Sequence, residues 1–328
     1  MLEILKPIKR TIKSVIFPET FKKTLIRTGI SKEFLKRHRV SVTSKGRTVF
    51  LTKGGRRIAL RKTNLVYLHD LVPYFDLYFS QVMPSRAHGF EYVDFSESNV
   101  QTLIDTGLEF AFSSVAEGSI AFSSYIYGVR PKEGDIVLDA GAYCGVSTYF
   151  FSKLVGPKGR VVALEPDETS YRCLLQNIER HGLTNVVPIR AALSGGIGKV
   201  TFNSEGALGS AISSIQARPD SSSHLVVDTL GISDILKSIG APKFDYVKMD
   251  IEGAEIEALQ DISKGQLEDL CENFAIASYH IVNGEKTALF LEKYFTDRGY
   301  KTNTLAPYGR PDHGGLITWA QKTPSRMT

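Results

Sequence analysis

Residues 135–145 read DIVLDAGAYCG, an apolar run that breaks into a turn with glycine at 141 and 145. Such a run, ending in glycine, reads as a buried strand feeding a turn. Glycine lets a backbone approach a ligand closely and take conformations other residues avoid. The spacing Asp139-x-Gly141-x-x-x-Gly145 is not the G-x-G-x-x-G of dinucleotide enzymes, and it lacks the Lys-Ser/Thr of a phosphate-binding loop. An acid ahead of the first glycine would repel a pyrophosphate, whereas it would attract the ammonium of a bound amino acid. The expected ligand therefore moves from NAD to S-adenosylmethionine, cradled by Asp139, Gly141, Ala142 and Gly145.

Two further blocks lie downstream. The run VVALEP ends in Glu165 and Pro166. An acid closing a second strand can accept hydrogen bonds from a ribose diol; the plainer alternative is an acid solvated at a strand end. The other block is KMDIEGAE, residues 248–255, where a fourth strand would pass into a helix. Asp250 would end that strand and point into the cleft. Glu252 and Glu255 would be stabilised by the helix N-terminus whatever the function. Together with Asp250 they could bind Mg2+ through oxygen ligands, but the helix start explains them without one, so no metal is expected. Lys248 would hold an acceptor anion or pair with Glu252 or Glu255.

A fifth strand, FAIASYHI, carries His280 to the same end of the sheet. Handing a group from a bound cofactor to an acceptor depends heavily on positioning, and if the acceptor were an alcohol it would also have to lose a proton. His280 titrates near neutrality when unperturbed, so it is the expected base, with Asp250 orienting it or the substrate. A lone histidine can instead be a packing residue, and His313 in GRPDHGG is an alternative base.

The elements that would position these residues are legible in the texture. From Asp135 onward, apolar runs alternate with helical segments such as VSTYFFSKLVG, TSYRCLLQNIERHG and KTALFLEKYFTDRGY. That alternation implies βαβ crossovers and a Rossmann-like, doubly wound, mostly parallel α/β sheet. VVPIRAALS reads as one strand, 97–128 as helical, and the Ser- and Gly-rich 203–223 as a loop. Before residue 97 lies a smaller α+β region: short β runs over Val40–Leu60 separated by glycine turns, then an aromatic segment. Tyr67, Tyr74, Phe75, Tyr78 and Phe79 in that segment are expected to pack between the regions. The domains read as 1–96 and 97–328.

The blocks DAGAYCG, ALEPD, Leu174 to Asn177 (L-x-x-N) and KMDIEGAE together resemble the FkbM family of methyltransferases, over about residues 117–321. The resemblance implies a class I methyltransferase type of fold. It also implies methyl transfer from S-adenosylmethionine, usually to a hydroxyl of a sugar, polyketide or other metabolite. By that carry-over Asp139, Gly141 and Gly145 face the methionine end of the cofactor and Glu165 takes the ribose. Lys248, Asp250, Glu252 and Glu255 match the family signature. The chain departs from the pattern in three places. Val227-Asp228-Thr229-Leu230-Gly231 stands where members often have T-L-D-D. Ala192-Leu193-Ser194-Gly195-Gly196 lacks an acid for the adenine amine. Ser278-Tyr279-His280 stands where an acid often precedes the histidine.

Composition narrows the class. Residues 1–62 hold 18 of the 40 Lys and Arg but three of the 35 Asp and Glu. Such a basic module could face phosphates, an anionic membrane or an acidic partner. Within it, 1–17 has helical apolar spacing with a basic face. It reads either as a helix on a membrane surface or as a helix packed on its own domain. Cys144, Cys173 and Cys271 fit neither a disulfide framework nor a zinc site. With no secretory signal or spanning run, a cytoplasmic protein is expected, peripheral at the membrane if the first helix binds there. Two other functions stay open: RNA methylation using the basic module, and nucleoside binding without chemistry. Nucleic acid is disfavoured because DIEG, rather than an Asn/Asp-Pro-Pro-aromatic turn, follows the fourth strand.

Overall fold

The computed structural model describes residues 30–203, 211–212, 224–307 and 315–322. Its largest sheet has seven strands: β1 (Ile136–Ala140), β2 (Arg160–Leu164), β3 (Val186–Ile189), β4 (Phe244–Met249), β5 (Cys271–Ala277), β6 (Tyr300–Leu305) and β7 (Ile317–Lys322), in spatial order β3-β2-β1-β4-β5-β7-β6. Strands β1 to β5 pair in parallel, while β7 runs antiparallel to both β5 and β6. Strands β1, β2, β4 and β5 are buried along most of their length, as expected of a sheet covered on both faces. The order turns between β1 and β4, so a crevice opens beyond their carboxyl ends. There the register sets Lys248 opposite Asp139 and Met249 opposite Ala140.

The helices that matter for the crevice are α1 (Ser119–Tyr125), α2 (Val146–Val155), α3 (Glu168–Arg180) and α4 (Ile232–Ile239), then α5 (Glu255–Leu259), α6 (Lys264–Leu270) and α7 (Thr287–Asp297). Helix α3 starts where Asp167 accepts hydrogen bonds from the Thr169 and Ser170 amides, a cap worth about 1 kcal/mol. It buries Ser170, Cys173, Leu174 and Asn177 at helical spacing.

Two expectations need correcting. VVPIRAALS is not one strand: β3 ends at Ile189, and 192–193 join a separate four-stranded sheet with 198–203, 211–212 and 224–230. Pro188 cannot donate to a ladder, which suits β3 only because it lies at the sheet's edge. Residues 97–128 are helical only over α1. Before it, Asn99–Thr102 and Glu109–Phe112 form an antiparallel pair, because Phe110 and Phe112 are needed in a core rather than on a helix face. Of the stretch read as a loop, 204–210 and 213–223 lie outside the described residues, as do 1–17 and His313.

That core belongs to the N-terminal region. A meander of Ser41–Lys45, Thr48–Lys53 and Arg56–Arg61 is extended by Phe90–Phe95, which pairs in parallel with Arg56–Arg61. Phe75 and Phe79 are buried in one cluster with Phe110, Phe112, Tyr143, Cys144, Val146 and Cys173. The aromatic segment therefore packs directly against the turn after β1 and against α2 and α3. No helix among the described residues is long and apolar enough to cross a membrane.

Candidate active site

The turn after β1 is held from within. The amides of Gly141 and Ala142 both donate to the Leu164 carbonyl, at 2.9 and 3.0 Å. Tyr143, at φ 50°, donates its amide to Glu165 Oε2 at 2.8 Å. A Cβ on Gly141, whose φ is 75°, would lie 1.8 Å from the Asp250 carbonyl oxygen; glycine is required there because β4 passes so close. Asn177 of the L-x-x-N block pins the turn to the Glu109–Phe112 strand, donating to the Cys144 and Ala111 carbonyls and accepting from the Ala111 amide. Of residues 141–145 only Gly141 keeps more than slight exposure, so it is the point of the turn a ligand can touch. Ala142 and Gly145 stand behind it.

Asp139 is not positioned to meet a ligand's ammonium. It is fully buried, its Oδ2 accepts from Ser147 and Thr148 hydroxyls at 2.7 Å each, and its Oδ1 lies 3.1 Å from Lys248 Nζ. The sequence reading is corrected here: this acid ties β1 to β4 and to α2. Lys248 likewise pairs with Asp139 rather than with Glu252 or Glu255. It also donates to the Gly141 carbonyl at 2.7 Å. Burial disfavours its charge, but Asp139, Asp250 and Glu117 outweigh that and raise its pKa.

Glu165 lies just past the end of β2, bonded to the turn after β1, with Pro166 next to it. Its two oxygens accept from the Tyr143 and Asp167 amides, which leaves lone pairs for a diol. Burial, and then the charge of Asp167, push its pKa up to about 8.

Across the crevice, β4 and β5 assemble a second group. Asp250 receives the Tyr125 hydroxyl at 2.7 Å on Oδ2 and the Tyr279 hydroxyl at 3.1 Å on Oδ1. Burial, then Asp250's charge, hold both phenol pKa values well above 10.0, so they remain donors. Tyr125 can aim there because its carbonyl is fixed by the Trp319 indole and the Tyr246 hydroxyl. His280 follows β5 and is 5% exposed. Its Nδ1 lies 3.0 Å from Glu255 Oε1, and its Nε2 lies 3.5 Å from Asp250 Oδ1 and 4.0 Å from Glu252 Oε2. Glu252 reaches this point from a left-handed backbone, φ 58°. Burial opposes charge on His280, but Glu255, Glu252 and Asp250 together push its pKa up to about 10. Asp250 and His280 are brought together, and the acids around the imidazole raise its pKa.

Sequence reasoning missed three residues here. Tyr279 sits inside the Ser-Tyr-His stretch and was passed over for its neighbours. Tyr125 and Glu117 come from the segment read as helix, and no local spacing marks them. Glu117 is half-buried. Burial above all, with Asp250 and Asp139 adding and Lys248 opposing, pushes its pKa up to about 7.

The sheet order, the turn and the acid after β2 define a Rossmann-like fold of the class I methyltransferase type. The model of the methyltransferase FkbM domain matches residues 139–302, and the chain belongs to that family. Hexuronic acid methyltransferase AglP of Haloferax volcanii is 26% identical over 149 residues, 45% of this chain and 57% of that protein. The catalytic subunit TRM61 of a Yarrowia lipolytica tRNA (adenine(58)-N(1))-methyltransferase is 37% identical over 67 residues, 20% of this chain and 17% of that one. The match thus spans just over half of the first relative's length and under a fifth of the second's. Among solved structures, precorrin-6y C5,15-methyltransferase of Geobacter metallireducens aligns with TM-score 0.41 and 14% identity, covering 65% of this chain and 94% of its own.

Proposed function

We propose that the protein transfers a methyl group from S-adenosylmethionine to a hydroxyl of a small sugar-like or glycan acceptor. When bound, the cofactor supplies an electrophilic methyl group on a sulfonium and leaves as a neutral thioether. Glu165 would accept the ribose diol, and Pro166 and Gly141 would line the floor beside it. Asp139 and Lys248 would hold that floor rigid without touching the ligand. The acceptor hydroxyl would meet Asp250, whose carboxylate is fixed by two phenols, with His280 behind it as a charged positioning group. Glu117, titrating near neutrality at the mouth of the crevice, would take the acceptor's proton; a base works best with its pKa near the working pH.

The observation that carries this reading is Glu165 at the switch point, with lone pairs left over beside a half-buried Gly141. The likeness to a hexuronic acid methyltransferase supports a sugar-like acceptor. The basic strands give RNA little purchase: Arg56 and Lys53 are paired with Asp76, Arg57 lies over Phe90, and Arg61 is held by Ser96 and Glu97. Calorimetry with S-adenosylmethionine and S-adenosylhomocysteine tests the cofactor half directly. Labelled cofactor with a panel of uronic acids, neutral sugars and tRNA tests the acceptor. Absence of heat with either nucleoside would remove the reading; label on tRNA alone would replace the acceptor.

A further inference from the structure

The group at the ends of β4 and β5 holds more negative charge than its neighbours answer. Asp250, Glu252 and Glu255 surround one imidazole, and Lys248 is committed to Asp139 and the Gly141 carbonyl. Glu255 is fully buried, and its Oε2 meets no hydrogen-bond donor among the described residues. His280 is 5% exposed, and its Nδ1 and Nε2 meet Glu255 and Asp250 only as ion-pair contacts, at 3.0 and 3.5 Å. Buried polar groups without partners are uncommon and call for an occupant.

We infer that Asp250, Glu255 and His280 form a binding site for a divalent transition-metal cation, with Glu252 at its open side. One donor atom from each of the three lies within 4.8 Å of the others. A cation there would take one ring nitrogen of His280 only, since Nδ1 faces Glu255 and Nε2 faces Asp250 and the two cannot serve one ion. One imidazole with carboxylates suits Mn2+, Fe2+ or Zn2+ better than the all-oxygen set favoured by Mg2+ or Ca2+. The surroundings are those of a built site. The Tyr125 and Tyr279 hydroxyls orient Asp250, and the Ile251 amide fixes Glu255 Oε1 at 3.1 Å, as outer partners commonly fix ligating carboxylates. Resting on the acceptor assignment above, the cation's task would be to bind the acceptor's hydroxyl oxygen and ease loss of its proton. The acidic signature then has a use beyond stabilising a helix start.

The test is titration of full-length, chelator-stripped protein with Zn2+ by calorimetry and with Mn2+ by electron paramagnetic resonance. One equivalent should bind. His280→Gln and Glu255→Gln should each abolish stoichiometric binding, and Tyr125→Phe, acting through Asp250, should weaken it about ten- to a hundredfold. Each variant is first shown to bind S-adenosylhomocysteine, so that misfolding is not scored as metal loss. No binding by the unaltered protein at millimolar metal, or equal binding by the His280→Gln and Glu255→Gln variants, overturns the inference. Metal binding without nucleoside binding would sink the methyltransferase reading and leave the cation site standing; nucleoside binding without metal does the reverse.

Discussion

The two halves of the crevice satisfy their polar groups differently. On the β1–β2 side most donors and acceptors are spent internally: three turn amides, both oxygens of Glu165 and Asp139 Oδ2 have hydrogen-bond partners, and Asp139 Oδ1 is ion-paired with Lys248. On the β4–β5 side, His280 and Glu255 keep buried atoms without hydrogen bonds. The first half is a rigid floor where, on the proposed reading, a ligand would meet one half-buried glycine and one acid. The second is a charged pocket whose geometry is set but whose charge is unanswered.

The most damaging way to break the first half is Gly141→Ala. The new Cβ would strike the Asp250 carbonyl at 1.8 Å, in a conformation with φ 75° that alanine resists. Because Asp250 donates its own amide to Ala140, the clash prises β4 from β1. We expect a loss of at least about 4 kcal/mol of stability, read from denaturant unfolding, together with loss of nucleoside binding. A well-folded, tightly binding Gly141→Ala protein would show that the floor is not rigid.

The second half breaks with less damage to the fold. Asp250→Ala and His280→Ala should each lower turnover by about 1,000-fold, with affinity for S-adenosylhomocysteine within about twofold of the parent. Removing His280 leaves Glu255 buried without its counter-charge, which is costly, so His280→Gln is the control for folding. Near-normal turnover in both alanine variants would detach this half from catalysis. A smaller effect is expected of Glu117→Gln, about 100-fold on turnover. Its pKa, raised to about 7, makes activity rise with pH through neutrality, since only the carboxylate accepts a proton. The variant should flatten that rise. An unchanged profile would assign the proton to another group.

How much of this was legible in the sequence follows from the range of the interactions. The alternation after Asp135 gives the parallel sheet, because runs of this kind are set locally by burial on both faces. Three of the four motif blocks mark where strands meet helices, and the fourth, Leu174 to Asn177, lies within α3. The roles of Asp139 and Lys248 were not legible: strands β1 and β4 lie far apart in the chain, and only their register sets those two residues opposite each other. The same distance hid Tyr125, which reaches Asp250 because Trp319 and Tyr246 hold its backbone. Gly141 was read as glycine for the ligand's sake, but its Cβ space is taken by Asp250's backbone. His280 and Asp250 were paired correctly by strand-end logic, but the number of acids around the imidazole could be counted only in three dimensions.

The finest contrast between the halves is protonic, and Glu165 reports it. Burial and Asp167 raise its pKa to about 8, against 4.5 for a free side chain. The ligand-free protein therefore holds a proton at Glu165 at neutral pH. The sign follows from linkage: a raised folded pKa contributes stability that is complete below about 4.5 and is lost as pH climbs through about 8. A ribose diol prefers the carboxylate, which offers lone pairs to both hydroxyls. Nucleoside binding should therefore expel a fraction of a proton at pH 7 and tighten as pH rises toward about 8. Calorimetry in two buffers of different ionisation enthalpy reads the release, and Glu165→Gln should abolish it while weakening binding about tenfold, near 1.4 kcal/mol. If the proton count is the same in Glu165→Gln as in the parent, the diol does not rest on this acid, and the floor of the crevice must grip the nucleoside elsewhere.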